Sequence, residues 1–166
     1  MKFAIITPMH TASDQGLPSA IDPAWRIGII HSSYYKEEID ALVAGAVEVL
    51  TAAGVPASNI SVHPAPGSFE IPLLGAALAD AKKVDALIGL GIIVEGETQH
   101  ARLLAENVAR GIMDVQVRAG IPFAFEVLYV SSLKQAQERA RGDVNKGAEA
   151  ARAVLHSLAE LKRIRS

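Results

Sequence analysis

Cysteine is missing from this 166-residue chain. Its absence excludes a disulfide framework, a thiolate nucleophile and any thiolate-based metal site. Positive charge is also in short supply, with 16 Lys and Arg against 18 Asp and Glu and a net charge of −2. Nucleic-acid binding rests on a basic face that neutralises phosphates, so that class is set aside. No apolar run is long enough for a membrane. The most apolar stretch, residues 84–94, contains Asp85 and amounts to about half a span. Near the N-terminus only Phe3 to Thr7 are apolar before Pro8, too short for the apolar region of a secretory signal. The expectation is a soluble, cytoplasmic protein. A typical metal-ligand set is lacking too: Glu97 stands near His100, but no second histidine completes the pair. Aromatic residues make up just 5%. Half of the residues are nonetheless hydrophobic and 20% are charged, the balance of a globular chain rich in Ala, Val, Ile and Leu.

The length suits one domain with a sizeable core. Apolar runs of strand length alternate with longer helical patterns. Strands are expected at residues 3–7, 26–31 and 59–63. Residues 86–94 and 122–129 are richer in Ile, Leu, Val and Phe, and read as strands buried on both faces. Helices are expected at 37–53, 69–82, 98–119, 133–141 and 146–163. Gly54 and Gly120 supply stop signals, and Ser68 a candidate N-cap. Strand-then-helix repetition predicts an α/β fold, a parallel sheet with helices on both faces. Residues 9–25 lack periodicity, so residues 1–25 are expected to be an N-terminal strand and linker before a main domain over 26–166.

In such a sheet, ligands bind where strands end at their carboxyl edge. The segments falling there are His31-Ser32-Ser33-Tyr34-Tyr35, Ala65-Pro66-Gly67-Ser68-Phe69-Glu70, Glu95-Gly96-Glu97-Thr98-Gln99-His100 and the strand from Phe125. Gly96-Glu97-Thr98 before a helix is of the kind that holds an anion on backbone N–H groups. His100, in the first turn of the long helix, is the candidate acid–base residue, since an imidazole moves protons near neutral pH. A lone histidine is more often a surface or capping residue, and His10, His31, His63 and His156 are read that way. Each remaining candidate has an equally plain reading. Tyr34 can stack on a heterocycle or merely end a strand. Phe125 is ordinary core, Arg139 and Lys146 are ordinary solvated charges, and Glu70 suits a helix N-terminus whatever the function.

The combination is more specific than its parts. Pro66-Gly67-Ser68-Phe69-Glu70-Ile71-Pro72 resembles a characteristic segment of the lumazine synthases. Gly96-Glu97-Thr98-Gln99-His100, Glu138-Arg139-Ala140 and Asn145-Lys146-Gly147 resemble further motifs of that family, in the same order and spacing over residues 26–161. The resemblance implies a flavodoxin-like three-layer α/β/α sandwich, assembled as pentamers with active sites between neighbouring subunits. The implied activity condenses 5-amino-6-(D-ribitylamino)uracil with 3,4-dihydroxy-2-butanone 4-phosphate to 6,7-dimethyl-8-ribityllumazine. It needs no cofactor and no metal. Tyr34 would stack on the pyrimidine. Ser68, Phe69 and Glu70, with backbone groups of Ile92, Ile93 and Val94, would hold the pyrimidine and ribityl chain. Glu97, Thr98 and Arg139 would hold the phosphate, and His100 would transfer protons. Phe125, Arg139 and Lys146 would come from the adjacent subunit.

Several positions depart from the family pattern. Glu95 replaces a basic residue, Ala101 an aromatic, Arg102 an acid, Tyr35 an asparagine and Glu126 a small residue. None removes a proposed catalytic group, although Glu95 and Glu126 add negative charge. The alternatives are a diverged shell or flavin-binding protein with little turnover, and an unrelated flavodoxin-like regulatory domain. The latter would want a phospho-acceptor aspartate or a glycine-rich first loop, and neither is found. For assembly, the resemblance implies that residues 3–7 add a strand to a neighbouring sheet. The compact linker at 142–145 is similar to those of members forming sixty-subunit shells, and riboflavin synthase is the implied protein partner.

Overall fold

A computed structural model describes residues 16–166. Its strands are β1 (Ile27–Ser32), β2 (Ile60–Ala65), β3 (Ala86–Val94) and β4 (Phe123–Val130). Its α-helices are α1 (Lys36–Ala52), α2 (Ile71–Asp80), α3 (His100–Ala119), α4 (Leu133–Arg139) and α5 (Lys146–Arg165). Among the described residues the strands form one 4-stranded sheet in the order β2-β1-β3-β4, with every neighbouring pair parallel. The expected strand at residues 3–7 lies outside the described residues.

The layers follow from strand alternation. Ile27 and Ile29 of β1, with Ile88 and Leu90 of β3, face a core shared with α1, α4 and α5. Ile30, Leu87 and Ile93 face the opposite core, built with α2 and α3. The described part of the N-terminal linker lies along the first layer. Trp25 enters that core, Lys162 pairs with Asp22 at 2.9 Å, and His156 Nε2 lies 2.7 Å from the Gly16 carbonyl. The expected helix stops hold, because Gly54 and Gly120 take φ of 99° and 66°, where a side chain would be strained.

Two local expectations change. β3 is buried almost throughout, but β4 is not: Phe125 and Tyr129 are exposed. β4 has a strand on one side only in the described sheet, so fewer neighbours cover its side chains. Ser68 does not cap a helix either. It is buried in a short 3-10 turn, Ser68–Glu70, and α2 begins afterwards at Ile71. Its hydroxyl lies so close to β3 that a Cβ at Gly91 would sit 2.5 Å from Ser68 Oγ.

At the amino edge of the sheet, Arg26 ties β1 to β3. Its Nε and Nη2 donate to Asp85 at 3.0 and 2.9 Å, and its backbone N–H donates to the same carboxylate at 2.8 Å. The carboxyl edge is arranged differently. The chain leaves β1 in one direction to β2 and returns to place β3 on the other side. The crevice between the ends of β1 and β3 is therefore the switch point at which open α/β sheets bind ligands.

Candidate active site

A cleft of about 580 Å³ opens at that switch point. The loop after β1 contributes Tyr34 and Tyr35, and the turn after β2 contributes Gly67, Ser68 and Phe69. β3 contributes Ile92, Ile93 and Val94, and α3 contributes His100, Leu103, Leu104 and Asn107. The volume suits a small molecule, and the mainly apolar wall with a few polar groups is the usual composition of a ligand site.

Local rules explain how each wall stands. Ser33 Oγ donates to the Ala65 carbonyl at 2.7 Å, holding the ends of β1 and β2 together just before Tyr34. Tyr35 has φ 56°, the left-handed conformation that asparagine tolerates better than tyrosine. This accounts physically for the asparagine usual in the pattern noted above. Tyr34, thus presented beyond the strand end, is 66% exposed and Phe69 is 61% exposed. The Tyr34 ring stands over Gly67, with Cε2 3.6 Å from where a Cβ would be. Two free aromatic faces on the rim of one cleft suit a planar heterocycle.

Glu70 is absent from the lining and has a visible structural task. Its Oε2 accepts from the Gly67 N–H at 3.0 Å, closing the turn that presents Ser68 and Phe69. Glu97 and Thr98 lie on the exposed loop before α3, and Thr98 Oγ1 accepts from the His100 N–H at 3.4 Å. The first-turn amides of α3 point out of the helix beside this loop, an arrangement suited to an anion. The loop's own side chains oppose a phosphate: Glu97 lies within it, and Glu95 at its start accepts from the Tyr129 hydroxyl at 3.1 Å. Nearby, Arg102 is paired with Glu106 at 2.7 Å.

Phe125, Arg139 and Lys146 are not brought to this cleft. Phe125 lies midway along β4, opposite Gly89. Arg139 Nη1 donates to the Gln135 carbonyl at 2.9 Å. Lys146 pairs with Glu149 at 2.6 Å. Close by, Glu126 has its carboxyl pushed up to about 7. Burial is the largest cause, with Lys146 lowering the value and Glu149 raising it. Among the described residues no cluster of histidines and carboxylates is arranged to hold a metal, and no helix is long and apolar enough to cross a membrane.

Tyr35 and Gly67 lie in segments expected at this edge but are not among the candidate site residues, and Ala101, Leu103, Leu104 and Asn107 are not expected in the cleft. Part of the signal was available. Leu103, Leu104 and Asn107 follow His100 at helical spacing, so the face carrying the imidazole necessarily carries them.

The layered parallel sheet, with a preformed aromatic-rimmed cleft at its switch point and an imidazole on one wall, defines a small-molecule-binding α/β/α sandwich of the flavodoxin-like type. Sequence comparison narrows the class. A model of the 6,7-dimethyl-8-ribityllumazine synthase family matches residues 24–162. The protein of that name from Xanthobacter autotrophicus is 39% identical over 165 residues, spanning 96% of this chain and 97% of the relative. Its counterpart in Methylobacterium radiotolerans is 39% identical over 159 residues, spanning 93% and 94%. That of Xylella fastidiosa is 40% identical over 140 residues, spanning 84% and 91%. The chain belongs to the 6,7-dimethyl-8-ribityllumazine synthase family.

Proposed function

We propose that this protein condenses 5-amino-6-(D-ribitylamino)uracil with 3,4-dihydroxy-2-butanone 4-phosphate, yielding 6,7-dimethyl-8-ribityllumazine, phosphate and water in riboflavin biosynthesis. The observation that carries the reading is the convergence of Tyr34, Ser68, Phe69 and His100 on one cleft within a chain of this family. Tyr34 offers a face for the pyrimidine. Ser68, Phe69 and the ends of Ile92, Ile93 and Val94 receive the pyrimidine and ribityl chain, with Glu70 holding the turn. The amides around Glu97 and Thr98 receive the phosphate beside His100. The amine condenses with the ketone, phosphate leaves and the ring closes with loss of water. Each stage moves protons, which His100 is placed to transfer. Holding both reactants in register supplies several kcal/mol of the barrier.

The site is completed in an oligomer. Phe125, Arg139 and Lys146 lie away from the cleft of their own subunit and serve a neighbour's. Leu73, Leu103, Met113 and Val117 on the α2–α3 layer are all more than half exposed, an apolar face of the kind that copies of a chain cover on assembly. A homopentamer is the minimal unit, with residues 1–25 as strand and linker and residues 3–7 joining a neighbouring sheet. The sixty-subunit shell, the cytoplasmic location and riboflavin synthase as partner belong to the same reading. The test is incubation with both substrates. Lumazine fluorescence with equimolar phosphate release is expected; neither signal from folded protein overturns the assignment.

A further inference from the structure

The strained backbone of Tyr35 has no task in this account. Among the described residues only Tyr35 and Lys82 combine a side chain with a positive φ. Lys82 lies in the turn after α2, where its carbonyl accepts from Arg26 Nη1 at the amino edge of the sheet. Tyr35 stands at the opposite edge and lines the cleft. A bulky residue held in the left-handed region costs stability. Such strain persists where the surrounding structure imposes it, and it gathers at ligand sites.

Nothing in α1 calls for a tyrosine at this turn. The Tyr35 carbonyl accepts from the Ile39 N–H at 3.0 Å, which any residue can do, and its side chain makes no capping hydrogen bond. Glycine or asparagine would hold the same conformation with less strain. Neither core claims the ring, since Tyr35 belongs to neither cluster and is 37% exposed.

The cleft is what remains. Tyr35 borders it beside Tyr34, and Ala101 on the α3 wall brings only a methyl group. Both positions depart from the family pattern, in opposite senses: Tyr35 adds a ring where asparagine is usual, and Ala101 lacks one where an aromatic is usual. Aromatic surface missing from the α3 wall is thus present on the β1 side of the same cleft. An asparagine would also offer hydrogen-bonding groups, so the ring is what the strained position gains.

We propose that Tyr35 is an affinity-determining residue for the pyrimidine substrate, its ring forming a second aromatic wall beside Tyr34 at a cost in backbone strain. This rests on the proposed reaction, which makes the heterocycle the occupant of the cleft.

The test measures steady-state kinetics and thermal melts of wild type, Tyr35→Phe and Tyr35→Asn. Tyr35→Phe keeps the ring and should match the wild type in both. Tyr35→Asn should raise KM for the pyrimidine about threefold to tenfold, the worth of one aromatic contact, and leave KM for the phosphorylated ketone level. Its Tm should hold or rise, by up to about 4 °C, as the strain is released. An Asn variant with the wild-type pyrimidine KM, a Phe variant as weak as the Asn variant, or equal shifts for both substrates overturns the proposal. So does an Asn variant that melts well below the wild type, which would make the ring a packing element of the fold. Wild-type protein without turnover overturns the functional reading and this inference with it. That failure is distinguishable because it needs no variant.

Discussion

His100 is the first residue of α3, so its ring is set by the helix start and faces the cleft together with Leu103, Leu104 and Asn107. A proton carrier in this position assists catalysis without building the site. Replacing it with alanine should lower kcat by about 10-fold to 100-fold, the modest end of general acid–base catalysis, because water or phosphate takes over part of the task. KM should change little, and an unchanged kcat would remove His100 from the mechanism. Arg139 behaves differently. One of its donors is used on the Gln135 carbonyl, which anchors the side chain and leaves the rest of the guanidinium for an oxyanion. Arg139→Ala should weaken the phosphorylated ketone by roughly 1.5–3 kcal/mol and spare the pyrimidine. Titration of each substrate checks this, and equal loss of both would indicate damaged assembly instead.

The elements are held in register from the edge of the sheet opposite the cleft. Arg26 clamps Asp85, and with it the starts of β1 and β3. Their carboxyl ends stand apart as the two sides of the switch point. The Arg26 guanidinium holds the Asp85 carboxyl below its ordinary value of 3.8, against the opposing effect of partial burial. A depressed carboxyl stabilises the fold fully above its ordinary value, and that contribution fades as pH falls through the lower folded value. With side-chain exposures of 45% and 35%, solvent screening limits the pair to about 1 kcal/mol. Asp85→Asn should therefore lower stability by about that amount at neutral pH, with the difference closing in acid. Urea melts of both proteins across pH check it. A difference that persists below about pH 2 would mean that packing, not charge, is responsible.

For the whole molecule, the cleft and the charges proposed to complete it lie on different parts of one subunit. The proposed site is complete only between copies, so activity and assembly should be lost together. Light scattering at micromolar protein is the direct measurement. A pentamer of 17.5 kDa subunits or a multiple of it is expected. A monomer would sink the shared-site argument, whereas an isolated pentamer would sink only the sixty-subunit shell. The compact 3-10 turn Gly142–Val144 before α5 keeps the shell reading open to that measurement.

The sequence by itself determined the order of the described elements, because apolar periodicity, Gly54, Gly120 and the strand-length runs are local signals. Motifs singled out His100, Ser68 and Phe69, and a strand end singled out Tyr34; the four do meet in one cleft. Only the tertiary structure decided what depends on neighbours distant along the chain. It buried Ser68 against Gly91 instead of leaving it as a cap, and it made Glu70 the clasp of its turn. It left β4 half open because no described strand pairs with its far side. It also set Glu126 opposite the fully buried Leu90 of β3, a pairing across strands that no local pattern announces. Periodicity shows which face of an element is buried, whereas the identity of the group opposite is settled only when the layers pack.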